Sequence, residues 1–264
     1  MNHSVIPNSV RQEIMQRLHN VEKQHNVRIL MAIESGSRAW GFASPNSDYD
    51  VRFIYVHEKD WYVAVDFEEK RDVIEYPIVD EIDLNGWDIR KALRLFWKSN
   101  PTFIEWIQSP IIYMESGTFK QQALDLLPQL YSVEKGIYHY LNMAKTTYRS
   151  HLCGKQVRLK KYFYVLRPLF AMRWIEKYHA AAPIEFLKVL ELVEDQAILK
   201  VIHTLLEKKQ SSEELATAPT IPELTQFIES ELERFESMPP IKIERDANMM
   251  QLNQLFHAVL NEKA

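Results

Sequence analysis

One cysteine, Cys153, is all that the 264 residues contain, which excludes an internal disulfide and a zinc site built from several thiolates. Nine histidines are present, but they are dispersed, with no HxH or HExxH spacing, so a histidine metal centre is not expected. No uninterrupted apolar run reaches the roughly 18 residues that a membrane span requires. The N-terminal MNHSVIPNSVRQEIMQ lacks the apolar core of a secretory signal. The expectation is a cytoplasmic protein with no membrane partner. Positive charge is not in excess either: 32 Lys and Arg face 36 Asp and Glu, for a formal net charge of -4. A polyanionic partner would therefore have to be held by a local basic patch. P-loop and dinucleotide fingerprints are missing, and Ser35-Gly36-Ser37 lacks the flanks of a nucleophile elbow. What remains is a globular composition, 46% hydrophobic and 26% charged, long enough for one large domain or two modest ones.

The apolar spacing separates the chain into two parts. Residues 8–25 carry Val10, Ile14, Leu18 and Val21 at helical intervals, with Asn8 or Ser9 available as a cap. Val27–Ile33 reads as a strand, Ser37–Trp40 as one or two helical turns, and Tyr49–Val56 as a second strand. Tyr62–Phe67 is a candidate third strand, and Val73–Tyr76 and Val79–Leu84 are short extended segments. Asn85-Gly86 ends the last of these and releases a helix over Trp87–Lys98. Asn100-Pro101 stops that helix, and Thr102–Gln108 begins another. Strand signals then nearly vanish. Helices are expected over Phe119–Leu130, Val133–Ser150, Gln156–Tyr178, Ile184–Lys208, Pro222–Ser237 and Ile241–Leu260. Lys208–Pro219 is the expected exposed loop, and Met238-Pro239-Pro240 a second break. This reading gives an α/β (α+β) head at 1–112 with a mixed twisted sheet, followed by an α-helical domain at 113–264 that closes the cleft.

The head is organised around Met31–Val56, MAIESGSRAWGFASPNSDYDVRFIYV. Asp48 and Asp50, two positions apart on a strand, project to one face, while Tyr49 between them can point into the core. Gly36-Ser37 lies in a turn close by, where small residues expose backbone to phosphate oxygens. Carboxylates for a divalent cation and a Gly-Ser turn for a polyphosphate are what nucleotidyl transfer requires. A lone DxD would say no more than that a β–turn–β unit uses Asp and Gly in its turns.

The ordered set is more specific. A strand, Gly-Ser, about ten residues, then Ser-Asp-x-Asp at the head of a hydrophobic strand resembles the DNA polymerase beta-like nucleotidyltransferase superfamily. The longer string GSRAWGFASPNSDYDVRFIYV is similar to nucleotidyltransferases associated with RNA repair and RNA ligase operons. That resemblance, which spans roughly residues 30–185, implies a polymerase beta-like head and transfer of an NMP from an NTP to a hydroxyl, with release of pyrophosphate. ATP or another NTP would be the donor, Mg²⁺ or Mn²⁺ the cofactor and an RNA end the acceptor. A protein or small-molecule alcohol is the alternative acceptor, and a catalytically silent nucleotide- or RNA-binding protein the alternative of another class. The sequence leaves the oligomeric state open.

A metal clamp of this kind usually needs a third acid. In an extended Val79–Leu84, Glu81 and Asp83 share one face, opposite Ile82 and Leu84, which makes Asp80 the poorer candidate. The resemblance selects Asp83, because relatives place the third acid on a strand just before a Gly-aromatic pair, here within EIDLNGWDIRK. Asp88 is explained as a first-turn helix residue favoured by the dipole; for Asn100 the cap of the helix that follows it is preferred over the alternative of a substrate contact. The implied roles are metal binding and catalysis for Asp48, Asp50 and Asp83, and phosphate binding by Ser37 with the Gly36–Arg38 backbone.

A basic and aromatic helix is expected to supply the rest of the nucleotide site. In KQVRLKKYFYVLRPLFAMRW, Lys160, Tyr164 and Arg167 fall on one face, and Leu159, Phe163, Leu166 and Phe170 form a separate apolar stripe. Pro168 lacks its N–H and is a candidate kink. The resemblance carries Lys161, Tyr164 and Arg167 to the nucleotide, whereas the helical face favours Lys160 over Lys161, and that choice stays open. Arg167 sits in a strongly apolar run, where a charge needs a partner. Trp40 lies between the Gly-Ser turn and the acids, which sets it apart from the other tryptophans.

Overall fold

The computed structural model describes residues 6–211 and 217–262. In chain order its first elements are α1 (Asn8–His25), β1 (Val27–Glu34), α2 (Gly36–Ala39), β2 (Tyr49–His57), α3 (Lys59–Tyr62), a 3₁₀ turn (Phe67–Glu69), β3 (Val73–Glu75) and β4 (Ile82–Asp88). There follow α4 (Ile89–Trp97), α5 (Pro101–Gln108), β5 (Ile112–Glu115), α6 (Phe119–Leu130) and α7 (Val133–His151). The chain continues through β6 (Gln156–Arg158), α8 (Lys160–Tyr178), α9 (Phe186–Leu190), α10 (Gln196–Ser211), β7 (Thr217–Pro219), α11 (Pro222–Ser237) and α12 (Met249–Asn261). No helix among the described residues is long and apolar enough to cross a membrane.

Two compact units result, and they do not divide at one point near residue 112. The sheet unit takes the described residues up to Ala39, then Asp48–Leu130, then those from Arg245 on. The helical unit takes Trp40–Ser47 and Tyr131–Glu244.

The sheet unit is a mixed five-stranded sheet of order β3-β4-β2-β1-β5. β1 pairs antiparallel with β2 and with β5, and β3 antiparallel with β4, while β2 and β4 run parallel. Side chains alternate between faces. Tyr49, Val51, Phe53 and Tyr55 of β2 join Ile82 and Leu84 of β4 in a core with Ile14, Leu18 and Val21 of α1. Asp50 and Arg52 therefore lie on the opposite face, the one they share with buried Ile54 and Val56. α4 packs on β2 and β4, α6 on β1, and α12 on α4 and α6.

Several expected elements differ, each for a local reason. α1 follows Pro7 and has no side-chain cap from Asn8 or Ser9. Tyr62–Phe67 is no strand: Tyr62 ends α3, where its hydroxyl donates to Asp88 Oδ2 (2.7 Å) and accepts from the His57 N–H (3.1 Å). β4 runs straight through Asn85-Gly86 to Asp88. Gly86 is there because the Phe53 ring occupies its side-chain space, with an added Cβ falling 2.1 Å from the ring. Asp88 then caps α4, accepting from the Arg90 N–H (2.8 Å), and Asn100 caps α5, accepting from the Phe103 N–H (3.2 Å). β5 adds a strand after the expected last one, and β6 and β7 pair antiparallel where only helix and loop are expected. The helix expected over 184–208 is split into α9 and α10, and the one expected over 241–260 starts at Met249. The loop expected over 208–219 begins inside α10 and ends in β7, and its residues 212–216 lie outside those described.

α8 is the buried centre of the helical unit, packed on α7, α9 and α11. Tyr162, Phe163, Val165, Leu166, Leu169 and Phe170 are all buried, so the helix is apolar nearly all round rather than along a single stripe. Pro168 lies within its continuous span. The Arg173 guanidinium donates to the buried Glu231 carboxylate (2.6 Å), which is shared with Arg234 (3.2 Å).

At the end of β2 the His57 ring stacks on Trp61, with centroids 3.9 Å apart and planes 11° from parallel. Burial, with the positive charges of His25 and Lys70, pushes the imidazole down to about 4. The unfolded chain, whose histidine titrates near 6.5, then binds the extra proton between those values, so this group removes stability as pH falls from 6.5 toward 4. His57→Phe keeps the stack and removes the titration. Thermal melts should show a smaller drop in Tm between pH 7.5 and pH 5 for the variant than for wild type, and an equal drop would exclude this account.

Candidate active site

At the opposite end of β2, the parallel register sets Asp50 beside Asp83. The Arg52 guanidinium joins them: Nη2 donates to Asp83 Oδ2 (2.6 Å) and Asp50 Oδ1 (3.1 Å), and Nη1 to the carbonyls of Asp83 (2.8 Å) and Val51 (3.0 Å). The two carboxylates are 29% and 27% exposed, so the pair opens to solvent. Burial raises the Asp50 carboxyl above its usual range. Arg52 opposes this, and the neighbouring charges of Asp83 and Asp48 add to it. Asp48 lies just before β2 with its side chain exposed.

Asp80 and Glu81 are carried in a left-handed turn, at φ 53° and 63°. Asp80 is engaged there by Arg17 (2.8 Å). Among the acids weighed from the sequence, Asp83 is the one that the register brings to Asp50.

Gly36 has φ +60°, and a Cβ on it would fall 2.0 Å from Asp50 Oδ2. The Asp50 carboxylate therefore rests against bare backbone, where no other L-residue fits. Ser37 is half-buried in the single turn of α2. The Arg38 side chain is buried: Nε donates to the Asp48 carbonyl (3.2 Å), and the guanidinium lies 4.1 Å over the Tyr49 ring. Arg38 thus supports the turn that carries Asp48.

Two residues of this cluster are absent from the sequence reading. Glu34, fully buried at the end of β1, accepts from the Asp50 N–H (3.0 Å) and the Tyr113 hydroxyl (2.6 Å). Burial pushes its carboxyl up to about 7. Its signal was a lone acid closing an apolar strand. Arg52 was also legible, since it follows Asp50 by two positions and shares its face.

In the helical unit, Arg167 is 2% exposed, with Nε and Nη2 donating to the Ile184 carbonyl (3.3 and 3.2 Å) and its guanidinium 4.9 Å over the Trp40 ring. Trp40 in turn meets the Tyr164 ring edge-on at 5.3 Å. Lys161 Nζ lies 5.0 Å over Tyr164, which is exposed, and Lys160 is half-buried at the start of α8. Arg167 therefore faces its own unit's interior rather than a basic surface stripe.

Among the described residues, no group of three or more His, Cys, Asp or Glu side chains is arranged to hold a metal ion. Mg²⁺ does not require such a cage, since it is commonly bound through one or two carboxylates together with substrate phosphates and water. The donor set of Asp50 and Asp83 fits that mode, and the Arg52 guanidinium already shows a cation held between them.

The model of one family, the RNA repair pathway DNA polymerase beta family (RlaP), matches residues 10–258. The chain belongs to this family. RlaP membership places it among polymerase beta-like nucleotidyltransferases and accords with the mixed α/β fold around Gly36-Ser37 and Asp48-x-Asp50. The chain is also 44% identical over 255 residues to the Bacillus subtilis (strain 168) protein named uncharacterized protein YcgL, covering 96% of this chain and 97% of that protein. A nucleotidyltransferase-like protein from Exiguobacterium sibiricum 255-15, known from a crystal structure, shares 14% identity over 93% of this chain and 75% of its own, at a TM-score of 0.32.

Removing Arg52 leaves two carboxylates side by side with no guanidinium between them. Arg52→Met should lower stability at pH 8 by about 2 kcal/mol, between the values for exposed and buried ion pairs. The same substitution in an Asp83→Asn background should cost clearly less. Denaturant melts of the four proteins in the double-mutant cycle measure this, and additive losses would show that the bridge carries no coupling.

Proposed function

We propose that this chain is a metal-dependent nucleotidyltransferase that moves an NMP from an NTP, ATP foremost, to the terminal hydroxyl of an RNA. The observation that carries the reading is the Asp50–Asp83 pair on adjacent parallel strands, with Asp50 seated against the bare backbone of Gly36. Asp50 and Asp83 would hold Mg²⁺ or Mn²⁺ together with substrate phosphates, and Asp48, exposed just before β2, would be the third ligand. Such a cation would offset the charge of the triphosphate and of the attacking oxygen. The Ser37 hydroxyl and the Gly36–Arg38 backbone hold the outgoing phosphates, and Asp83 orients the acceptor hydroxyl and takes its proton. The acceptor oxygen bonds to the α-phosphorus as the bond to pyrophosphate breaks, so the chain contributes position and charge and forms no covalent intermediate. On the helical unit, taken by itself, Lys160, Lys161 and Tyr164 reach solvent and are assigned to nucleotide contact, with Arg167 fixing Trp40 behind Tyr164. The choice of RNA is supported by the family's RNA repair context.

One observation favours a silent nucleotide binder instead: Arg52 already bridges the acid pair and offsets one of its two charges without a metal. Pyrophosphate release separates the two readings. Labelled NTP is incubated with Mg²⁺ or Mn²⁺ and a panel of RNA ends, protein hydroxyls and small alcohols. Transfer to RNA is expected, with loss on chelation and in Asp50→Ala and Asp83→Ala. Wild-type turnover in both variants, or transfer only to alcohols, would sink the assignment.

Gly36→Ala tests the seat of Asp50. Its Cβ displaces the Asp50 carboxylate, and a shift of about 1 Å should reduce kcat on the order of 100-fold. Single-turnover rates measure this, with circular dichroism to establish that the fold persists. A rate within twofold of wild type would show that Asp50 does not depend on Gly36.

A further inference from the structure

At the other end of the strands from Asp50 and Asp83, the sheet unit has a cavity of about 710 Å³ between α3, α4 and α12. Strand rise puts it roughly 20 Å from the acids. Its floor includes Leu93, Leu252 and Phe256, and its rim carries Lys59, Arg90 and Arg94. No Asp or Glu lines it among the described residues. On a chain with net charge -4, a concave surface with three cations and no carboxylate is a focus of positive potential. Arg90 and Arg94, at i and i+4, share one face of α4 with Leu93 between them. The Arg90 guanidinium lies over the Phe67 ring, 3.8 Å from its centroid. Lys59 and Arg94 are exposed and make no ion pair among the described residues.

We propose that this cavity is a second binding site, a groove that holds the phosphate backbone of single-stranded RNA away from the reacting end. The inference rests on the reading that the acceptor is RNA. An acidic protein that handles RNA needs a local basic patch, and the helix expected to supply one does so poorly, because Arg167 is buried on the Ile184 carbonyl and Lys161 lies against Tyr164. The cavity supplies cations at the rim for phosphates and apolar surface for base faces, including Phe256, whose ring packs edge-on at 5.1 Å against Tyr62. Its charge would also accept an acidic amphipathic peptide. Three cations around an open apolar floor that offers surface to base faces, together with the family's RNA repair context, favour the nucleic acid.

The test uses the full chain and the double variant Lys59→Gln/Arg94→Gln, both exposed positions outside the proposed catalytic set. Binding of a 5′-labelled oligoadenylate of about 12 nucleotides is followed by fluorescence anisotropy across a salt series. The variant should bind roughly tenfold more weakly at low salt, and the slope of log K against log salt should shrink by about 1.4, the share of two single-strand phosphate contacts. Mg²⁺-dependent NTP binding, measured by calorimetry, should be unchanged. If wild type and variant share one affinity and one slope while wild type still transfers NMP to RNA, the groove is overturned and the catalytic reading stands. If the variant loses RNA binding but wild type transfers to no RNA, the groove stands and the catalytic reading fails. A glutamate-rich amphipathic peptide that binds wild type and not the variant, with RNA binding neither, assigns the cavity to protein and overturns the proposal.

Discussion

Asp50 and Asp83 stand side by side on adjacent parallel strands, and like charges one strand spacing apart, about 4.8 Å, repel unless a cation lies near both. The structure answers with Arg52, which comes from the same strand as Asp50 and reaches both carboxylates through one nitrogen. A parallel register makes this economical, because one residue step along β2 or β4 would turn either acid to the α1 side. The site is therefore a property of the pairing between β2 and β4, and any change in that register removes the acid pair and its counter-charge together.

That dependence explains which parts of the site were legible. Asp48, Asp50 and Gly36 are close in sequence, so strand alternation and a turn residue were enough to group them. Asp83 is 33 positions from Asp50, a distance that local spacing cannot bridge, and only the family resemblance chose it over Glu81. Arg52 obeyed the rule that grouped the aspartates, yet a cation did not fit the expected chemistry and went unread. On α8, helical spacing put Lys160, Tyr164 and Arg167 on one face, and of these Tyr164 and Arg167 both meet the Trp40 ring. It could not show that Arg167 turns to a carbonyl and an indole, because what buries it comes from the Trp40–Ser47 segment and from Ile184, both distant in sequence.

The fold was legible where elements are long and periodic. α1, α6 and α11 fall where the apolar spacing put them, and β1 and β2 extend one residue beyond it. Short elements were misread for reasons their neighbours supply. Gly86 looks like a strand terminator until the Phe53 ring is found in its side-chain space. Ile112–Glu115 carries too few residues to announce a strand, and its pairing with β1 is a tertiary fact.

The missed strand and the missed acid belong together. β5 presents Tyr113 to the buried Glu34 carboxyl, which also receives the Asp50 N–H, while the Ser109 hydroxyl donates to the Glu34 carbonyl (2.6 Å). A carboxyl raised to about 7 by burial is costly to keep inside a fold, and both of its oxygens are satisfied by groups on either side of β1. Glu34 thus fixes the height of Asp50 from behind, as Gly36 fixes it from below and Arg52 from the side. β5, through Tyr113, and Ser109 just before it are accordingly part of the acid site's support.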